Sequence, residues 1–115
     1  MPRKDTKGSR RRARNKGPAP HHSVYVIEID RAVTDIDESP LPPVYVGMTG
    51  LTPEERFANH KRGHKASRVA HRHGVRLLPA LYEHLNPMSY DEALRAETEL
   101  AEELRRRGHF VFGGH

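Results

Sequence analysis

Residues 44–63, VYVGMTGLTPEERFANHKRG, place an arginine and a histidine four positions apart, shortly after a tyrosine. Arg56 and His60 would share one face of a helix here, since helical residues four apart are neighbours. An arginine can hold an anion through two parallel hydrogen bonds, and a histidine or a tyrosine can transfer a proton. Such pairs are also common on solvated helix faces, so the pair alone does not distinguish a reactive site from an ordinary surface.

A glutamate on an apolar face is the sharpest signal in the last third of the chain. Between residues 89 and 108 the apolar positions follow helical spacing, and Glu97 falls inside that stripe, one turn after Ala93 and one turn before Ala101. A carboxylate on a buried face needs a cation, a metal ion or several hydrogen bonds. The structural alternative is an internal salt bridge, for example to Arg56, and the functional one is a reactive or metal-binding carboxylate.

Other candidates are weaker when taken singly. Tyr25 and Tyr45 lie near the centres of two predicted strands, where tyrosines most often serve cross-strand packing. His60 and His64 have the spacing of two zinc ligands, but the chain has no cysteine and shows no closed set of four ligands. A histidine-based zinc protein is therefore an alternative that the sequence supports poorly.

The first half of the chain predicts two strands followed by a helix. Residues 23–30, SVYVIEID, are rich in β-branched side chains, and residues 44–48, VYVGM, form a second strand that pairs antiparallel with the first. Thr52 is a good helix N-cap, and Glu55 three residues later completes a capping box. That helix is expected to end at Gly63.

The region between the two main helices predicts a short helix and a third strand. Residues 65–74, KASRVAHRHG, read as a helix that a glycine ends, and residues 75–84 read as a strand. Pro79 cannot donate a ladder hydrogen bond, so the strand should be an edge strand or a broken one.

A long helix and a last short strand complete the predicted elements. Ser89 and Glu92 form a second capping box, three arginines precede Gly108, and residues 109–115 can form a final strand. The order predicts one small α+β domain over residues 22–115. We expect an α/β sandwich with a central three-stranded antiparallel sheet flanked by helices.

The charge of the chain is divided unevenly. Residues 1–20 hold eight Lys or Arg against one acid, a net charge of +7, while the remainder carries −2. Residues 1–21 lack apolar periodicity and are predicted to be a disordered basic tail. Its arginine run, Arg10-Arg11-Arg12, suits a phosphate backbone; the alternative is a solvated tail that only aids solubility.

A second cationic segment lies inside the predicted domain. From residue 56 to residue 82 there is no Asp or Glu, while seven cations occur: Arg56, Lys61, Arg62, Lys65, Arg68, Arg72 and Arg76. Together with the tail, this segment indicates nucleic acid as the partner.

The composition also bears on location. There is no cysteine, and no apolar run approaches the roughly 18 residues of a membrane span. The basic N-terminus leads into no apolar signal region. We therefore expect a soluble cytoplasmic protein without membrane contact.

Five positions taken together give the chain a resemblance to the GIY-YIG nuclease superfamily. Two tripeptides on the predicted strands match the family's strand motifs: Ser23-Val24-Tyr25 and Tyr45-Val46-Gly47. Three positions match its helical motifs: Arg56, His60 and Glu97. The resemblance covers the whole predicted domain and implies the family's small sandwich fold.

The resemblance implies a metal-dependent endonuclease that hydrolyses phosphodiester bonds, with DNA expected before RNA. Glu97 would hold one Mg²⁺ or Mn²⁺ as its only protein ligand, and Arg56 would hold the non-bridging phosphate oxygens. Tyr25 would accept the proton of the nucleophile, for which the site must lower its pKa. Tyr45 and His60 would orient the water or relay the proton, and the choice between the two tyrosines as base stays open.

The expected nucleic-acid contacts come from one glycine and a set of cations. Gly47 would let the backbone approach the scissile phosphate. The cations are Lys61, Arg62, Lys65, Arg68, Arg10, Arg11 and Arg12. Specificity would come from the tail, from a homodimer or from a larger complex.

The chain departs from the family pattern at two places. Ser23 stands where the family has its leading glycine, and Phe112-Gly113-Gly114 stands where the family frequently has a supporting asparagine. The alternative function is a GIY-YIG module that is catalytically weak or inactive and binds DNA or RNA.

Overall fold

The computed structural model describes residues 19–33 and 40–114 of the 115-residue chain. The strands and helices are β1 (Ser23–Ile29), β2 (Val44–Thr49), α1 (Pro53–Arg62), α2 (Arg68–His73), β3 (Gly74–Leu77), α3 (Tyr90–Arg107) and β4 (Val111–Gly113). Three short 3-10 turns accompany them: Arg31–Val33, Pro79–Leu81 and Glu83–Leu85. The predicted α+β class is confirmed. The tail arginines Arg10, Arg11 and Arg12 lie outside the described residues.

The sheet has four strands in the order β3-β1-β2-β4, so the expected three-stranded antiparallel sheet is wrong in both strand count and direction. β1 is antiparallel to β2 and β3, whereas β4 runs parallel to β2, with Val111 opposite Val44. A parallel neighbour needs a long crossover, which the chain supplies through α1, α2, β3 and α3. No local sequence pattern reports such a pairing.

Glycines at the end of the chain allow β4 to lie close to its neighbours. Gly113 has a φ of +72°, and a Cβ there would stand 2.5 Å from the carbonyl oxygen of Val46. Gly114 also has a positive φ, and a Cβ there would collide with the side chain of Ala101 on α3. The two glycines of Phe112-Gly113-Gly114 thus allow this segment to pack closely against both β2 and α3.

The third strand is an edge strand, as expected, but it ends at Leu77 and does not continue to residue 84. The N–H of Leu78 still donates to Val26 (2.9 Å), and Pro79, which has no N–H, begins a 3-10 turn. Asn86 then takes over the edge of β1, because its side-chain amide bonds both the N–H and the C=O of Val24, at 2.9 and 2.8 Å. A side chain therefore replaces the strand ladder beside the start of β1.

The helices follow their capping signals. Both capping boxes form, at Thr52 for α1 and Ser89 for α3, and both helices end at a glycine in the left-handed region, Gly63 and Gly108. The second helix is shorter than the expected 65–74, because Lys65 has a φ of +49°. β1 and β2 provide most of the buried core, α1 and α2 pack on β1 and β3, and α3 packs mainly on β2.

Candidate active site

Tyr25 is the centre of a buried polar cluster. Its side chain is 1% exposed, and on the neighbouring strand it lies directly opposite Gly47. A Cβ at position 47 would stand 2.5 Å from the Tyr25 hydroxyl oxygen. Gly47 therefore makes room for the tyrosine ring, and its expected role in phosphate approach stays a prediction.

His60 meets Tyr25 from α1. It is the one buried residue of that helix, and its Nε2 lies 2.9 Å from the Tyr25 hydroxyl oxygen. Its Nδ1 accepts a hydrogen bond from the backbone N–H of Ser67 at 3.1 Å. Burial, assisted by the charge of Arg56, lowers the pKa of His60 to about 4. The ring is therefore neutral at pH 7, with its hydrogen on Nε2, and it donates to Tyr25.

Tyr45 completes an aromatic group with these two residues. Its ring centroid lies 5.5 Å from that of His60 in an edge arrangement and 6.3 Å from that of Tyr25. Burial raises the pKa of the Tyr45 phenol, while the nearby Arg56 opposes that rise. Tyr45 is only half-buried, so it lies between the cluster and solvent.

The pKa of Tyr25 differs from the sequence-based expectation. Burial is the largest influence and raises the pKa of the phenol well above its usual range, and negative charge on Tyr45 or Glu97 raises it further. Arg56 lowers it by charge and by hydrogen bonding. The described side chains alone therefore keep Tyr25 protonated at neutral pH, and a proton-accepting role requires an additional positive charge beside it.

Arg56 reaches from α1 in two directions. Its guanidinium lies near Tyr25, and it also donates to the carbonyl oxygens of Lys65 (2.8 Å) and His64 (3.4 Å). These bonds tie the loop after α1 to the cluster. Arg56 can attract an anion to Tyr25, but part of its fork is engaged by backbone.

Glu97 occupies the position that the apolar stripe predicted. It is 7% exposed and lies between the fully buried Ala93 and Ala101 on α3. Its charge acts on both phenols, Tyr25 and Tyr45, whose pKa values it raises. The carboxylate is thus close enough to the tyrosines to share one site with them.

The donor set bears on which metal the site could hold. In the described ranges, no three His, Cys, Asp or Glu side chains are grouped to hold a metal ion. Both ring nitrogens of His60 are engaged, so it is not available to a zinc ion with His64. A single carboxylate, Glu97, fits a hard cation that keeps most of its water ligands, as Mg²⁺ does.

Four expected nucleic-acid contacts lie on or beside α1 and α2 and are exposed: Lys61, Arg62, Lys65 and Arg68. Lys61 also has a structural role, because its ammonium group donates to the carbonyl oxygens of Gly74 (2.8 Å) and His71 (3.2 Å) at the end of α2. Arg62 bonds the side chain of Asn59. The structure therefore groups these cations on one segment, while Lys61 is partly committed to holding α1 and α2 together.

Sequence reasoning missed two residues that support the cluster. Ser67 bonds His60, and its signal was present as a serine that caps α2, but the helix was expected to begin three residues earlier, at residue 65. The side chain of Asn86 bonds the backbone of Val24, the residue before Tyr25 in β1. Nothing in the local sequence indicates that contact.

Comparisons of the chain with protein-family models, with curated proteins and with solved structures find no match in any of the three. Among residues 19–33 and 40–114, no helix has the length and apolar character needed to cross a membrane.

Proposed function

We propose that the chain is a divalent-metal-dependent endonuclease that hydrolyses phosphodiester bonds, and that it is a small member of the GIY-YIG superfamily. One observation carries this proposal: a buried phenol, Tyr25, receives a hydrogen bond from His60 and feels the charges of both Arg56 and Glu97. These four side chains come from β1, α1 and α3, which are far apart in sequence. Core packing needs no such convergence of ionisable groups.

Arg56 and His60 have complementary parts in this proposal. Arg56 binds non-bridging phosphate oxygens and compensates the charge that develops there in the transition state. Tyr25 first loses its own proton on the side away from His60, and the Nε2–H of His60 donates to the resulting phenolate oxygen. That phenolate then accepts the proton of the attacking water and returns to the phenol. Tyr45, at the solvent side of the cluster, orients the water.

Glu97 is the proposed ligand for one Mg²⁺ or Mn²⁺ ion, which when bound supplies Lewis acidity and the positive charge that lowers the pKa of a neighbouring acid. The high pKa of Tyr25 without that charge is compatible with a cation held by the nearby carboxylate. The hydrolysis step itself is proposed to depend on Arg56, His60 and Tyr45, the side chains around Tyr25.

The cations of the α1–α2 segment and of the tail are proposed to hold the substrate. Lys65 is exposed on the loop that Arg56 ties to the cluster, and Arg68 is exposed at the start of α2, so a phosphate backbone lying there would pass the site. DNA is the proposed substrate before RNA. Specificity is proposed to come from the tail, a homodimer or a larger complex.

A second candidate is a non-catalytic module that binds DNA or RNA. The engagement of the Arg56 fork by the carbonyls of His64 and Lys65 favours it, since a guanidinium already bonded to backbone has fewer donors left for a phosphate. The buried carboxylate of Glu97 opposes it, because a binder gains no affinity from a negative charge beside phosphate.

A nicking assay separates the two candidates. Labelled flap, splayed and plain duplex DNA are incubated with the full chain in Mg²⁺, in Mn²⁺ and in EDTA, and matched RNA is tested in parallel. Cleavage with either metal and none in EDTA supports the endonuclease. Tight binding of all substrates without cleavage under any condition supports the binding module.

A further inference from the structure

Ser67 joins α1 to α2 through a contact made by its backbone. It is the N-cap of α2, where its hydroxyl oxygen accepts from the N–H of Ala70 at 3.4 Å. Its own N–H points back to Nδ1 of His60 across 3.1 Å. A backbone N–H can only donate, so this contact requires a lone pair on Nδ1.

The state of His60 follows from that requirement. The ring is fully buried, and its other nitrogen, Nε2, lies 2.9 Å from the Tyr25 hydroxyl oxygen. With a lone pair on Nδ1, the single ring hydrogen is on Nε2. The opposite tautomer would direct two N–H groups at each other and leave a buried donor without an acceptor.

We propose that Ser67 is a positioning residue that fixes His60 in the Nε2–H tautomer and so makes His60 a hydrogen-bond donor to Tyr25. The tautomer assignment stands on geometry alone, whereas its catalytic meaning rests on the proposed function. Because Nε2 already carries a hydrogen, His60 cannot take the proton of Tyr25. Its part is to stabilise the phenolate, and the proton of Tyr25 must leave on the side away from His60.

The other groups around His60 agree with this assignment. Arg56 on the same helix disfavours a positive ring, and Tyr25 and Tyr45 face it from β1 and β2. Protonation of His60 can occur only at Nδ1, so it must break the contact with Ser67. Ser67 also lowers the pKa of Tyr45, against the larger effect of burial.

Nuclear magnetic resonance on the full-length, ¹⁵N-labelled chain tests the assignment directly. We expect hydrogen on Nε2 and none on Nδ1 of His60, and a scalar coupling across the N–H···N bond between the Ser67 amide nitrogen and Nδ1. On acidification, the Ser67 amide signal should titrate with the His60 ring. Hydrogen on Nδ1 in the wild-type chain at pH 7 would overturn the proposal.

Three variants separate positioning from simple helix capping. Ser67→Ala removes the cap that orients the N–H, Ser67→Thr restores a capping hydroxyl, and Ser89→Ala removes the cap of α3 as a matched loss of stability. We expect Ser67→Ala to weaken the coupling and to lower kcat about tenfold with little change in KM, and Ser67→Thr to recover both. Equal losses of kcat in Ser67→Ala and Ser89→Ala would contradict a positioning role. If the wild-type chain cleaves nothing, the proposed function fails, and the coupling alone decides the tautomer.

Discussion

The two long helices begin and end alike but bury different kinds of group. α1 and α3 each start with a capping box and end at a left-handed glycine, and each turns one ionisable side chain inward, His60 in α1 and Glu97 in α3. Both ring nitrogens of His60 have neutral partners, Tyr25 and the backbone of Ser67. Glu97 is a carboxylate between the buried Ala93 and Ala101.

One buried group is thus an imidazole held by two fixed partners, and the other is a carboxylate whose charge acts on the phenols. Hydrogen bonds from fixed partners suffice for a neutral imidazole, so α1 can bury His60 without any ion. A carboxylate in an alanine stripe favours a cation nearby, and its charge acts on the phenols of Tyr25 and Tyr45. The candidate site thus combines a neutral half supplied by α1 with a charged half supplied by α3.

The largest expected effect tests whether the α1 half and the α3 half of the site both act on the hydroxyl oxygen of Tyr25. Tyr25→Phe deletes the oxygen that His60 bonds, and turnover should fall by about 10²-fold or more while DNA affinity stays within about threefold. Tyr90→Phe is the matched control, because Tyr90 is 55% exposed on α3. Single-turnover cleavage rates measure both. Similar rates for the two variants would show that Tyr25 only packs the core.

The neutral half can be tested by pH. The folded-state pKa of His60, about 4, lies below its ordinary value of 6.5. Between these two pH values the unfolded chain therefore binds a proton at His60 that the folded chain does not bind. The stability that His60 contributes is complete above about pH 6.5 and is lost as the pH falls toward 4, by about 3 kcal/mol. Urea unfolding of wild type and His60→Gln across this range isolates the residue, because the other titrating groups are common to both. Parallel curves would mean that His60 is charged or exposed in the folded protein.

The packing of the phenol can be tested at Gly47. A methyl group there would stand 2.5 Å from the Tyr25 hydroxyl oxygen, so Gly47→Ala should displace that oxygen from His60 and cost about 1–3 kcal/mol in stability. Gly50→Ala is the control, since the nearest atom to its Cβ would be 3.4 Å away, on His22. Thermal unfolding of both variants checks this. Equal melting temperatures for Gly47→Ala and Gly50→Ala would contradict the packing role of Gly47.

The smallest effect is expected at Tyr82, whose buried hydroxyl has no hydrogen-bond partner among the described residues. Tyr82 is 2% exposed, and its hydroxyl bonds none of the described residues. Tyr82→Phe should leave the free energy of unfolding unchanged or raise it by up to about 1 kcal/mol, since no hydrogen bond is lost. Tyr25→Phe should lower it, because the N–H of His60 loses its acceptor. Equilibrium unfolding in urea compares the two, and a large loss in Tyr82→Phe would reveal a hydrogen bond at that hydroxyl.

The sequence predicted the parts of the fold that local chemistry determines. The capping boxes at Thr52 and Ser89 located α1 and α3, and the alanine stripe located Glu97, because these signals lie within one or two helical turns. β4 was misjudged because its parallel pairing with β2 depends on the whole crossover between them. Ser67 was missed because its contact with His60 depends on how two helices pack.

The same limit applies to the pKa of Tyr25. The proposed role of Tyr25 required the site to lower this pKa, whereas the depth of burial, which only the fold reveals, outweighs the effect of Arg56 and raises it. Identifying the members of the candidate site was possible from spacing and resemblance. Their electrostatic balance was not, since it depends on distances and solvent exclusion.

The central claim is that Glu97 provides the charged half of a phosphodiesterase site, and Glu97→Gln tests it most directly. The substitution keeps the size and hydrogen-bonding capacity of the side chain while removing its charge. Cleavage and binding of the preferred labelled DNA are measured with Mg²⁺ and with EDTA, for wild type and variant. The account predicts metal-dependent cleavage by the wild type, at least about 10²-fold slower cleavage by Glu97→Gln, and DNA binding that is unchanged or slightly tighter. Full activity of Glu97→Gln, or equal cleavage in EDTA, would contradict it.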